Sequence, residues 1–185
     1  MKKANKPVVY AFIDSQNLNV SIKSLGWKMN WVALRKFLSE QYGVSKAYMF
    51  IGYVPEFEEM YEKLHADGYS IVLKPTFDMT RVKPEQTEED KAKEALEEKK
   101  PVKGNIDAEL VLHAMIEYPN YDKAIIVSGD GDFYALIEHL QKNNKLYKIL
   151  TPTGKYSSLF NIFEKYIERL DLRRRKLEYR DRKRK

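Results

Sequence analysis

Ile125-Ile126-Val127-Ser128-Gly129-Asp130-Gly131-Asp132-Phe133 is the stretch whose reading decides the architecture. A β-branched apolar run stops at two glycines and two carboxylates, and an amphipathic pattern continues from Phe133 to Leu140. This reads as a buried strand whose C-terminal end carries acids on a tight loop before a helix. In open α/β sheets, ligands bind in the crevice beyond the carboxyl ends of the strands. Asp130 and Asp132 placed there repel each other unless a cation or a shared proton relieves them. A divalent ion is the simpler relief, because hard cations such as magnesium take carboxylate oxygens. A polar turn capping the next helix has a similar composition, since Gly and Asp dominate turns generally. The loop alone favours a site over a turn without settling the choice.

The same alternation runs outward along the chain. Residues 8–13 read as a first buried strand ending at Asp14, 47–54 as a second, 69–73 as a third closed by Pro75, 124–127 as a fourth and 146–150 as a last. Helical spacing marks residues 31–42, 56–67, 106–118 and 133–143, with Gly68 stopping the second of these. Leu159, Phe163, Tyr166 and Leu170 form an apolar stripe at helical spacing that is expected to dock on the domain. Short β-rich runs alternating with helices imply an α/β class, a three-layer α/β/α Rossmann-like domain around a mainly parallel central sheet. Residues 80–102 break the pattern with dense charge of both signs and no aromatics, and read as a surface insertion.

Composition narrows the function classes. A chain of 185 residues with 43% hydrophobic content suits one globular domain with a substantial core. No apolar run approaches membrane-spanning length, and Met1 to Lys6 lack the apolar stretch of a signal peptide, so a cytoplasmic protein without membrane contact is expected. The absence of cysteine excludes disulfides, a thiolate nucleophile and Cys-ligated zinc. Residues 173–185 hold nine Lys/Arg against Glu178 and Asp181, so this basic tail carries +7 of a total +6 and residues 1–172 carry −1. A basic tail on a near-neutral domain suits a polyanion such as nucleic acid, and it equally suits a solvated terminus. A homo-oligomer is compatible with the sequence.

Two more acids take places equivalent to Asp130 and Asp132. Asp14 ends the first strand, and Asp107 lies in the first turn of the helix that follows Gly104-Asn105. At 3.6 residues per turn, Leu110, Val111, Ala114 and Tyr118 share the face of Asp107, whereas Glu109 points away and reads as solvated. An acid on an apolar face must be paired, protonated or metal-bound. A first-turn acid that only complements the helix dipole is the ordinary alternative. Four such acids in one cleft can hold one or two Mg2+ or Mn2+ ions, which activate water and neutralise a phosphodiester during in-line displacement. That chemistry needs no side-chain nucleophile. Of the three histidines, His65 and His139 read as structural. Asn17 and Ser128 flank the acids and are candidates to contact substrate phosphate or to orient a carboxylate, although Asn17 also suits a helix cap. Lys103, before Gly104, either counters phosphate charge or is solvated.

Three segments together resemble the NYN branch of the PIN-like nucleases, in particular its LabA-like group. They are Phe12-Ile13-Asp14-Ser15-Gln16-Asn17-Leu18, Lys103-Gly104-Asn105-Ile106-Asp107-Ala108-Glu109-Leu110 and Ile126-Val127-Ser128-Gly129-Asp130-Gly131-Asp132-Phe133. The resemblance spans about residues 8 to 170 and implies a PIN-like sheet with metal-dependent RNA cleavage. Carried over by position, the metal-binding and catalytic acids are Asp14, Asp107, Asp130 and Asp132, with Asn17 and Ser128 as accessory groups. Many relatives carry a further acid six residues after the helix-start Asp, and here that position is His113. Six residues turn a helix through about 240°, so the departure leaves the four acids untouched but questions a fully occupied two-metal site.

A ribonuclease is therefore the first expectation, and an RNA-binding or scaffolding module with a weak or degenerate site is the alternative. Gly129-Asp130-Gly131 after a strand also resembles the last motif of haloacid-dehalogenase-like phosphatases. Their nucleophilic Asp is followed two positions later by an acid, whereas Asp14 is followed by Ser15 and Gln16. No G-x-G-x-x-G follows the first strand, which disfavours a dehydrogenase.

Overall fold

The computed structural model describes residues 6–74 and 106–180. Lys103, the charged insertion at 80–102 and the last five residues of the tail lie outside the described residues.

Among the described residues, six strands form one sheet in the order β3-β2-β1-β4-β5-β6, every neighbouring pair parallel. The strands are β1 (Val9–Asp14), β2 (Val44–Gly52), β3 (Ser70–Lys74), β4 (Lys123–Val127), β5 (Leu146–Thr151) and β6 (Ile167–Arg169). The α-helices are α1 (Ser15–Ser24), α2 (Trp31–Tyr42), α3 (Glu58–Ala66), α4 (Asp107–Ile116), α5 (Tyr134–Lys142) and a short α6 (Arg174–Leu177). Alternate residues of the central strands feed two separate cores. Val9, Ala11, Ile13, Ile125 and Val127 pack on one face with Leu18, Leu34 and Leu38, while Phe12, Phe50 and Ile126 pack on the other with Leu110, Ala114, Ile137 and Leu140. A sheet covered on both faces explains why β1 and most of β4 are continuous apolar runs rather than alternating ones. This is the expected three-layer α/β/α architecture.

Local signals set most boundaries. Asn30 caps α2 by accepting from the Ala33 N–H at 3.0 Å, and Gly43 closes it with φ +69°, a left-handed turn that glycine adopts at no steric cost. β2 starts earlier than its apolar pattern, because its first exposed residues, Ser45 and Lys46, hide the strand from a hydrophobicity reading.

Two parts of the architecture differ from expectation. Helix α1 had no bounds in the sequence beyond a cap suggested at Asn17, since only Leu18 and Ile22 of its apolar residues reach the core, and its cap is Asp14. The stripe at Leu159, Phe163, Tyr166 and Leu170 is not an α-helix docking one face. Ser158–Tyr166 forms 3-10 turns with a kink at Phe163, and Ile167–Arg169 adds the sixth strand beside β5. With three residues per turn, Phe160 and Phe163 are buried while Leu159 faces solvent. Residues 173–180 also pack on the domain. Leu177 is fully buried, its carbonyl accepts from the Asn30 N–H at 2.8 Å, and Tyr179 donates to the Lys28 carbonyl at 2.8 Å. Among the described residues, no helix is long and apolar enough to cross a membrane.

Candidate metal centre

Parallel strands end their C-termini on one rim, and the site is built there. β1 turns directly into α1, whose first N–H groups have no intrahelical acceptor. Asp14, the last residue of β1, fills that need by accepting from the Asn17 N–H at 2.9 Å, although it is itself only 3% exposed. Its second carboxylate oxygen accepts from the Ser128 hydroxyl at 3.1 Å, across 114 residues of sequence. The register that pairs Ile13 with Val127 makes this possible, because the next residue of each strand then lies side by side.

The rest of the loop is tied to the same pair. The Asn17 side-chain oxygen accepts from the Gly129 N–H at 3.0 Å, Ser128 accepts from the Asp130 N–H at 3.1 Å, and Asp130 accepts from the Asp132 N–H at 3.1 Å. Burial pushes the Asp14 carboxyl above its ordinary value. Hydrogen bonds from Asn17 and Ser128 oppose that shift, and the charge of Asp130 adds to it.

Asp107, Asp130 and Asp132 converge. One carboxylate oxygen from each lies within 4.8 Å of the others, with Asp107 and Asp130 half-buried and Asp132 exposed. Among the described residues, no Lys, Arg or His forms an ion pair with Asp130 or Asp132. Three hard oxygen donors at this spacing fit a magnesium- or manganese-like ion. Asp14 stands outside that trio. Its oxygens each accept one hydrogen bond, from Asn17 and from Ser128, and Ser128 and a charge contact with Asp130 link it to the trio.

Other candidates fall out differently. Glu109 is not simply solvated, because Lys74 at the end of β3 pairs with it at 3.1 Å. His113 is half-buried against the sheet, its ring 5.7 Å from that of Phe50 and 6.3 Å from that of Tyr48. His139 is exposed beside Tyr118, and His65 is exposed on α3.

The segment after β5 went unnoticed in the sequence, although Pro152-Thr153-Gly154 directly after a strand is the same kind of signal as Ser128 to Asp132. It lies against the acidic loop, with the Ser157 N–H donating to the Gly129 carbonyl at 3.0 Å. A Cβ at Gly131 would sit 2.5 Å from Ser157 Oγ and 3.2 Å from Leu159 Cδ1. A side chain at Gly131 would thus disturb the packing of Ser157 and Leu159 rather than the backbone angle. Gly131→Ala is expected to cost about 1–3 kcal/mol of stability by overpacking, read from denaturant midpoints. A midpoint equal to wild type would show that the segment yields freely. Ser128→Ala leaves Asp14 and the Asp130 N–H without their shared partner, and is expected to weaken metal binding about 10- to 100-fold by calorimetric titration. Unchanged affinity would remove Ser128 from the support of the site.

Comparison with known proteins bears on the family and the fold. A family model described as "NYN domain" matches residues 8–171. A crystal structure of a protein of unknown function from Vibrio parahaemolyticus superposes with a TM-score of 0.59 at 22% identity, covering 82% of this chain and 83% of that one. That likeness concerns the fold. Among curated proteins, none matches the chain.

Proposed function

The chain belongs to the NYN domain family, within the PIN-like nuclease superfamily, and from that premise we propose that it is a metal-dependent ribonuclease. The observation that carries the reading is the convergence of Asp107, Asp130 and Asp132 at the C-terminal rim of the sheet. These three would hold Mg2+ or Mn2+. Such an ion, when bound, supplies an activated water and charge neutralisation for in-line displacement at phosphorus.

The chain's own residues do the positioning. Asp130 is held by backbone bonds on either side, donating to Ser128 and accepting from Asp132. Asn17 fixes the start of the same loop by accepting from Gly129. Asp14 anchors Ser128 and adds negative charge behind this scaffold, which strengthens the demand for a cation. Asn17 and Ser128 serve the substrate indirectly through that geometry, and Lys103 remains a proposed phosphate contact. Arg175 and Lys176 place exposed positive charge on the domain, suited to sequence-independent phosphate contact.

The test is cleavage of single-stranded RNA in chelator, with Mg2+ and with Mn2+. Activity should vanish in chelator and return with either ion. Activity indifferent to chelator sinks the reading. A module that binds RNA without cutting it is the second reading. It is favoured by His113, an aromatic-packed side chain at the place where many relatives carry another acid, and would show salt-sensitive RNA binding with no cleavage under any ion.

A further inference from the structure

Leu159 and Ile162 are 52% and 68% exposed, on a 3-10 stretch whose other face buries Phe160 and Phe163. Residues three apart eclipse in a 3-10 turn, so Leu159 and Ile162 form one outward line ahead of the kink at Phe163. Single exposed apolar side chains are ordinary. This pair differs in where it stands. Leu159 Cδ1 lies 3.2 Å from the Cβ position of Gly131, the residue between Asp130 and Asp132. Ser157 locks that contact by donating its N–H to Gly129 and accepting from the Leu159 N–H at 3.4 Å. An apolar ledge is therefore clamped to the acidic loop.

We propose that Leu159 and Ile162 seat an unstacked nucleobase of the substrate and so select single-stranded over duplex RNA. The inference rests on the ribonuclease reading, because the ledge packs against the loop that carries two of the three acids proposed to hold the scissile phosphate's metal. Nucleobases splayed from a single strand stack on aromatic and apolar side chains, whereas duplex bases present no free face. The ledge makes no hydrogen bonds to base edges, so it discriminates strandedness rather than sequence. Its continuity with the acid trio commits it to the trio's substrate rather than to a second copy of the chain.

The experiment measures binding of a labelled single-stranded RNA and of the matching duplex in an Asp130→Asn background, which keeps the RNA intact. Cleavage constants are measured in the otherwise wild-type chain. Leu159→Ala with Ile162→Ala should weaken single-strand binding about tenfold, the loss of one stacked base, and leave duplex binding unchanged. KM should rise by a similar factor while kcat holds, since the lost contact is made equally before and during the reaction. Ile162→Trp should restore or tighten single-strand binding, an effect a merely structural residue would not show. The inference is overturned if the double variant matches wild type, if kcat alone falls, or if the variant changes oligomeric state by size-exclusion chromatography and not RNA affinity. A wild-type chain that neither binds nor cleaves RNA overturns the ribonuclease reading itself, a distinct result.

Discussion

Asp130→Asn is expected to lower metal-dependent RNA cleavage by roughly 10²–10³-fold, the scale found on removing one preorganised group at a reacting centre. The substitution keeps the shape and one side-chain oxygen, so the bond from the Asp132 N–H at 3.1 Å can persist and the loop stays folded. What it removes is one of the three charges that converge with Asp107 and Asp132. Calorimetric titration should show weakened Mg2+ or Mn2+ affinity in parallel, which separates loss of the ion from loss of RNA. Glu138→Gln is a suitable control. Its acid pairs with Lys142 at 3.0 Å on the outer side of α5 and should leave cleavage untouched. Cleavage within a few-fold of wild type in Asp130→Asn would assign the activity to another protein in the preparation.

Asp14→Asn is expected to separate activity from stability. Cleavage should fall about 100-fold, because Asp14 orients Ser128 and through it the Asp130 backbone. The metal-free protein should nevertheless gain about 1 kcal/mol, seen as a melting temperature higher by about 2–4 °C at neutral pH. The physical reason is burial. An ionised carboxylate that is 3% exposed and faces the charge of Asp130 is costly, and its carboxyl is pushed above the ordinary value of 3.8 for that reason. The native state thus keeps this proton to higher pH than the unfolded chain does. The stability that the neutral carboxyl confers is present at acid pH and declines as pH rises from 3.8 through the raised native value. The advantage of Asp14→Asn should accordingly grow with pH across that window and disappear below it. A variant that melts below wild type at neutral pH, or that cleaves normally, would contradict this account of Asp14.

Both predictions turn on residues that were visible as acids in the sequence but whose partnership was not. Asp14, Asp130 and Asp132 announce themselves because each follows a buried apolar strand, and chain direction in a parallel sheet puts those ends on one rim. Asp107 was visible as a first-turn acid sharing the face of Leu110 and Ala114, both of which are buried. Four equivalent ligands were expected. Asp107, Asp130 and Asp132 converge, and Asp14 stands beside them with one oxygen on the first turn of α1 and the other on the Ser128 hydroxyl.

The alternation of strands and helices, the two-sided burial of the sheet and the placement of acids at its carboxyl rim are properties of local pattern. Apolar runs, turn residues and chain polarity are written along the chain and need no partner to be read. Helix α1, strand β6 and the 3-10 stretch that carries Leu159 and Ile162 were decided by tertiary contact. Each offers too few apolar residues, or the wrong period, to declare itself, and each is held by a neighbour remote in sequence: β6 by its pairing with β5, and the ledge by Ser157 against Gly129 and Gly131. That Asp14 meets Ser128 is likewise a matter of register between β1 and β4, a long-range pairing that no window of sequence contains.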